Sequence, residues 1–407
     1  MDQLKLLNFH KMIANFANNL VGAFVPLIIY QATGKLSYAI IYLVCQNLLR
    51  LVFELLLKNL YGKYPQLFLL LRIIPIALYN VFIFVLDVNL ILGVIGVCLF
   101  ISLDYAFNNL PKEIIYNYSS LNPQKNDKSL GITRLFEQAG IIIALIVGGF
   151  LLDINKTLVL IISLTIYAIS VIPLVIFYVK SKNQKTFNKD ATSNAINTLS
   201  KNEELLKKSK KLTFKMLFSY GIVYFATAFF DMTQTAYSLL VFIERGEFAL
   251  AGILNAVFNC MYAVGFYVAG IINSKKDMTR LVTVFCCLIG VLIIILPFVD
   301  LTKYFVIICL IYGAIGFCYP FVSLFILERV LIKSRIMGVS NKALFVRDTS
   351  CILAYTIGWA CGFFGLIGIF VSIFVTMCSA GLIIPNCEEK TRQNLVDYLQ
   401  NNEIIQN

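Results

Sequence analysis

Along this chain, apolar runs of about 20 residues alternate with short polar turns, and that length is what an α-helix needs to cross the ~30 Å hydrocarbon core of a bilayer. The runs are read at 10–31, 36–57, 66–87, 89–110, 131–152, 155–179, 213–241, 247–272, 279–298, 303–328, 338–363 and 365–384. In hydrocarbon every backbone N–H and C=O must be paired within the protein, so each run is expected to be a helix. Composition agrees: of 407 residues, 59% are hydrophobic and 14% charged, whereas a soluble chain carries about 25% charge. The expected fold class is an all-α membrane protein with twelve transmembrane helices.

Charge then reports orientation. Net charge is +12, but the basic residues cluster in alternate loops, which speaks for topology and against nucleic-acid binding. One set of loops holds Lys58, Lys63, Lys112, Lys125, Lys128, the lysines of the 180–215 segment, Lys275, Lys276, Arg280, Arg329, Lys333 and Arg335. The opposite set has only Lys35, Lys156, Arg245 and Lys303. Both termini and the lysine-rich segment are therefore expected in the cytoplasm, with the chain in the cytoplasmic (inner) membrane. No cleavage site follows Met1–Lys11, so the first span is expected to be retained. Lys201–Leu212 has the composition of a basic surface helix or a solvated tether. The 11 cysteines form no CxxC and fall mostly within apolar runs, and His10 is the only histidine. Neither a disulfide framework nor a metal centre is expected, and no cofactor motif is present.

The polar segment 181–212 divides the spans six and six, giving an N-terminal bundle (1–180), a linker (181–212), a C-terminal bundle (213–386) and a cytoplasmic tail (387–407). An offset of 209 carries Phe16-Ala17 onto Phe225-Ala226, Leu135-Phe136 onto Leu344-Phe345, and Gly149 onto Gly358. Two six-helix bundles repeated in parallel orientation imply a pseudo-two-fold axis along the membrane normal, with a site between the halves.

The segment Asn15-Phe16-Ala17-Asn18-Asn19-Leu20, continuing through Phe24-Val25-Pro26-Leu27 to Thr33-Gly34, resembles the first span of bacterial major facilitator superfamily transporters. After span 2 that family carries G-x-L-a-D-r-x-G-r/k. Here Leu57, Gly62 and Lys63 are kept, the first Gly is missing and Asn59 replaces the acid. A second, vestigial copy is read from Gly270 through Lys275 and Lys276 to Arg280. The resemblance implies that spans 1 and 7 line a central cavity and leaves the subfamily unassigned. Drug/proton antiporters of the superfamily usually carry an Arg in span 4; its absence here speaks against multidrug efflux.

Asn15, Asn18, Asn19 and Gly22 share one face of span 1, and Tyr220, Tyr224, Thr227, Asp231, Gln234 and Ser238 recur at the same spacing in span 7. Asn255, Asn259 and Tyr262 form a third stripe in span 8. Polar groups facing lipid are costly, so these stripes should face a watery cavity or a partner helix. Asp231 lies deep in span 7 with no basic residue within a turn, which makes it the candidate for proton or cation coupling. Arg347 and Asp348 lie deep in span 11 and, about 100° apart, should address different neighbours. Arg347 is a candidate to hold an anionic group or to neutralise an acid from another span.

Arg50 and Glu54, four apart in span 2, can pair. With Asn59, Gly62, Lys63, Asp104, Arg134 and Glu137 they are assigned to a cytoplasmic gate, in which Asp104 should pair with Arg134 or Arg50. Pro320 should kink span 10, and Gly148, Gly149, Gly358, Gly362 and Gly365 should allow close helix approach. The expected function is secondary active transport of a small organic solute by alternating access, coupled to a proton or other ion gradient, by a monomer with no enzymatic activity. Two other readings stay open: a non-transporting permease-like or sensor subunit, and a polytopic membrane transferase. The transferase would need interfacial His or Asp clusters or a sizeable soluble loop, and neither is visible.

Overall fold

The structure is a computed structural model that describes residues 3–61, 64–119, 126–183, 210–273, 279–300, 303–336 and 340–401. Gly62, Lys63 and Lys201–Ser209 fall outside the described residues, as do the side chains of Arg134 and Glu137. The first span is α1 (Gln3–Asn19), a 3-10 turn at Gly22–Phe24, and α2 (Val25–Thr33). Pro26 has no N–H to give to the carbonyl of Gly22, so the α ladder cannot run through this stretch and the chain tightens instead, with Phe24 N–H donating to Val21 O at 2.9 Å. Gly34 closes α2 in the left-handed region (φ 64°), where a side chain would be strained.

The remaining spans of the first half are α3 (Leu36–Tyr61), the pair α4 (Pro65–Leu71) and α5 (Ile73–Val85), α6 (Leu90–Ser119), α7 (Asn126–Ile154) and α8 (Lys156–Asn183). The second half comprises α9 (Lys210–Arg245), α10 (Phe248–Asn273), α11 (Thr279–Ile295), α12 (Phe305–Ile336), α13 (Ser340–Ala360) and α14 (Leu366–Asn401). Among the described residues, ten stretches are long and apolar enough to cross a membrane, and Gln138–Ile154 is a shorter apolar one. The remaining span, α13, carries Lys342, Arg347 and Asp348, which dilute its hydropathy.

α12 runs from Phe305 to Ile336 with Pro320 inside it, and α14 continues to Asn401, so most of the segment from 387 is helix. Its polar end prolongs the last span because no Pro or Gly follows Pro385 to interrupt the ladder.

Within the first half, α1 packs on α7 and α8, and α6 on α3 and α5; in the second half, α10 packs on α12, α11 on α14, and α9 on α13 and α14. Across the halves, α7 meets α10 and α3 meets α13. The α7–α10 contact depends on missing side chains: a Cβ on Gly149 would strike Phe248 O at 2.7 Å, and one on Gly252 would strike Leu145 O. Gly148 takes the backbone of Leu20 in the same way, while Gly358 and Gly362 receive the side chains of Met232 and Ile40. Gly365, expected to do likewise, has open space around it and serves a turn at φ 90°.

At the face holding the α7–α8 turn, Asp153 accepts the backbone N–H groups of Phe248 and Ala249, each at 2.9 Å. A carboxylate of one bundle thus caps a helix of the other. Phe24 and Phe248 (ring centroids 6.1 Å) and Tyr30 and Phe242 (6.3 Å) pack edge-on at the same face. At the opposite face Tyr61, Phe68 and Leu344 bring α3, α4 and α13 together. Outside, side chains such as Leu56, Ile91, Ile95, Val306 and Leu310 are exposed, as apolar groups are where a bilayer is the solvent.

Candidate functional site

Between the halves lies a cavity of about 420 Å³, walled by α1, α3, α5, α6, α7, α9, α10 and α13 with Arg72 at the α4–α5 junction, a size within the usual range of small-molecule sites. Of the residues assigned from sequence to substrate or coupling, Asn15, Asn18, Asn19, Asp231, Gln234, Asn255 and Asn259 line it. Thr227 does not: its hydroxyl donates to Val223 O at 3.0 Å on its own helix, the local back-bond open to a helical Thr.

Asp231 is exposed to the cavity and has a partner that its neighbours in sequence did not reveal. Tyr355 donates its hydroxyl to Asp231 Oδ2 at 2.7 Å, and the Tyr319 hydroxyl lies near the same carboxyl. Both are uncharged phenols. The three residues come from α9, α12 and α13.

Two charged groups expected at the cytoplasmic gate, Arg50 and Asp104, line the cavity. Asp104 does not pair with Arg50, the one of its two expected partners whose side chain is described. It is held by Arg72, whose Nε reaches Oδ1 at 2.5 Å and whose Nη2 reaches Oδ2 at 3.1 Å, while Nη1 donates to Asn108 Oδ1 at 3.0 Å. Arg72 is 4% exposed and its guanidinium lies 5.6 Å from the Tyr167 ring centroid. Sequence reasoning passed over Arg72 because it stands at the edge of an apolar run, where an arginine ordinarily snorkels to the interface.

Arg50 pairs with Glu54 as the spacing predicted, Nε to Oε1 at 2.9 Å, and Glu54 is fully buried. Arg347 and Asp348 are not among the cavity-lining residues. They pair with each other, Nη2 to Oδ1 at 3.1 Å. The long guanidinium arm curls back across the 100° that separates the two Cβ directions. Their charges act on Arg50 and Glu54, so four charged side chains gather where α3 meets α13. Asn59 is exposed near the end of α3.

Several cavity amides are committed in one sense. Asn19, Asn47 and Asn259 each donate Nδ2 to the backbone carbonyl four residues earlier, at 2.8, 2.7 and 2.7 Å, and Asn255 donates to Ser238 Oγ at 2.6 Å. Asn18 Oδ1 and Gln234 Nε2 are buried without a hydrogen-bond partner, and such groups at a cavity wall are what a bound solute can pair. Among the described residues no group of His, Cys, Asp and Glu is arranged to hold a metal ion.

Comparison with known proteins agrees with this architecture. A bacterial homologue of the iron transporter ferroportin, solved in an outward-facing state, superposes with TM-score 0.65 at 14% identity over 97% of this chain and 100% of that one. A mutant of the nucleoside transporter NupG superposes with TM-score 0.61 at 13% identity, over 96% and 100%. The fucose:proton symporter FucP of E. coli gives TM-score 0.53 at 15% identity, over 95% and 98%. At these identities the likeness concerns the fold, twelve helices in two six-helix bundles. None of the curated proteins matches the sequence. The family model described as Major Facilitator Superfamily matches residues 12–346, most of the chain; this multi-pass membrane protein therefore belongs to that superfamily and is a transporter, not an enzyme.

Proposed function

We propose that the chain is a secondary active transporter that moves a small organic solute across the cytoplasmic membrane by alternating access, with Asp231 carrying the coupling proton. The observation that carries this reading is the setting of Asp231: a carboxyl open to the central cavity, hydrogen-bonded by the Tyr355 phenol and paired with no cation among the described residues. A carboxyl so placed can exchange its proton with cavity water and can alter its protonation when a solute arrives. The arginines around the cavity are engaged by Asp104 and Glu54, which leaves Asp231 as the group whose charge is free to change. Both termini are assigned to the cytoplasm from the lysine distribution, and the working unit is a monomer, since one chain supplies the whole cavity wall.

The test is uptake into proteoliposomes under an imposed pH gradient, using solutes first selected by thermal shift on the purified protein. Wild type should accumulate the solute; Asp231→Asn should bind it without accumulating it. Uphill movement by Asp231→Asn at the wild-type rate would assign coupling elsewhere. Binding with no transport by wild type would favour a permease-like subunit.

A further inference from the structure

The cavity wall also carries information about what it binds. Its charged residues are Arg50, Arg72, Asp104 and Asp231. Arg72 has both carboxylate oxygens of Asp104, and Arg50 has Glu54. Neither pair offers a solute net charge, so the formal charge left facing the cavity is that of Asp231.

The amides point the same way. A side-chain amide that bonds a backbone carbonyl can do so only through its NH₂, because two carbonyl oxygens cannot pair. In Asn19, Asn47 and Asn259 one of the two N–H donors is therefore engaged within the helix, which leaves one N–H and both oxygen lone pairs. Gln234 Nε2 is a donor without a partner. The three Asn amides thus present more acceptor than donor capacity around one carboxylate. Tyr355 and Trp359, four residues apart on one face of α13, add aromatic surface to the same wall, and aromatic faces attract cations.

Resting on the transporter reading above, we propose that the central site takes an organic cation rich in hydrogen-bond donors, with a primary ammonium or guanidinium seated at Asp231 and its hydroxyl or amine N–H and O–H groups on the amide oxygens. At about 30 Å³ per water, the cavity of about 420 Å³ holds about fourteen waters, which fits a solute the size of a hexose. A neutral solute of the same shape leaves the carboxylate without its counter-charge, and an anion meets it with like charge.

A matched set of probes tests this at equilibrium: glucosamine, glucose and glucuronate share a ring and differ in charge, and agmatine supplies a guanidinium. Binding is measured by calorimetry on purified protein in nanodiscs, with no gradient. Glucosamine or agmatine should bind at least tenfold more tightly than glucose, and glucuronate should bind no more tightly than glucose. Asp231→Asn should reduce the glucosamine preference over glucose to within about twofold, while Thr227→Val on the same helix, whose hydroxyl is back-bonded to Val223 O and does not line the cavity, should retain it. Size-exclusion profiles matching wild type establish that both variants are folded. Failure of both cationic probes to bind, tighter binding of glucose or glucuronate, or a cation preference that survives Asp231→Asn overturns the proposal. These outcomes are separate from the transport test: uphill movement of a neutral solute would sink this inference alone, and cation binding without transport would sink the transporter reading alone.

Discussion

Arg72 and Asp104, 32 residues apart in sequence, meet fork to fork at the cavity wall, with Nε–Oδ1 at 2.5 Å and Nη2–Oδ2 at 3.1 Å, both side chains almost fully buried. The pair ties the α4–α5 junction to α6 and also shapes the wall of the binding space.

Breaking one side of this pair leaves the other charge buried. Asp104→Asn or Arg72→Ala should cost about 3–5 kcal/mol, read as a marked fall in the melting temperature of detergent-solubilised protein. The double variant Arg72→Met with Asp104→Leu, which removes both charges, should recover most of the loss. A double variant no more stable than either single one would show that the pair contributes more than mutual neutralisation.

Asp153 caps α10 across the bundle interface, so its removal should loosen the face where α7 and α10 meet. For Asp153→Ala we expect amide hydrogen exchange at Phe248 and Ala249 to quicken about tenfold, equivalent to ~1–2 kcal/mol. Asp153→Asn, with one carbonyl oxygen left, should fall between. Unchanged exchange in the alanine variant would mean that neighbouring packing alone holds this end of α10.

Gly252 faces the carbonyl of Leu145 with no room for a side chain. Gly252→Val should wedge α7 from α10 and lower thermal stability more than Gly246→Val on the adjacent turn, where there is open space but a positive φ of 71°. The reverse order in a thermal melt would place the tighter constraint in the turn.

Arg50 lines the cavity and faces the fully buried Glu54, so Arg50→Ala should impair solute binding and stability more than Arg347→Ala. Equal melting temperatures and solute affinities for the two variants would contradict this.

The orientation assigned from charge is tested separately. Accessibility tags in the 184–209 segment and at the C-terminus should both be protected from an impermeant reagent in intact cells. Labelling of either from outside would reverse or break the twelve-span topology.

The fold was legible because the bilayer makes it so. Helices are the solution for an open apolar run in hydrocarbon, so run length alone located the spans within a few residues, including α13 despite its charges. The stripes of Asn15, Asn18 and Asn19, of Asp231 and Gln234, and of Asn255 and Asn259 were equally legible, since helical periodicity collects them on faces that cannot meet lipid. Partner choice was not. Periodicity fixes which way a residue faces along its own helix, whereas Arg72 with Asp104 and Tyr355 with Asp231 depend on how helices distant in sequence are turned toward one another. Only the tertiary structure decided those pairs, because inter-helix rotation is set by side-chain packing and by close approaches such as that of Gly149 to α10, and a one-dimensional pattern does not contain it.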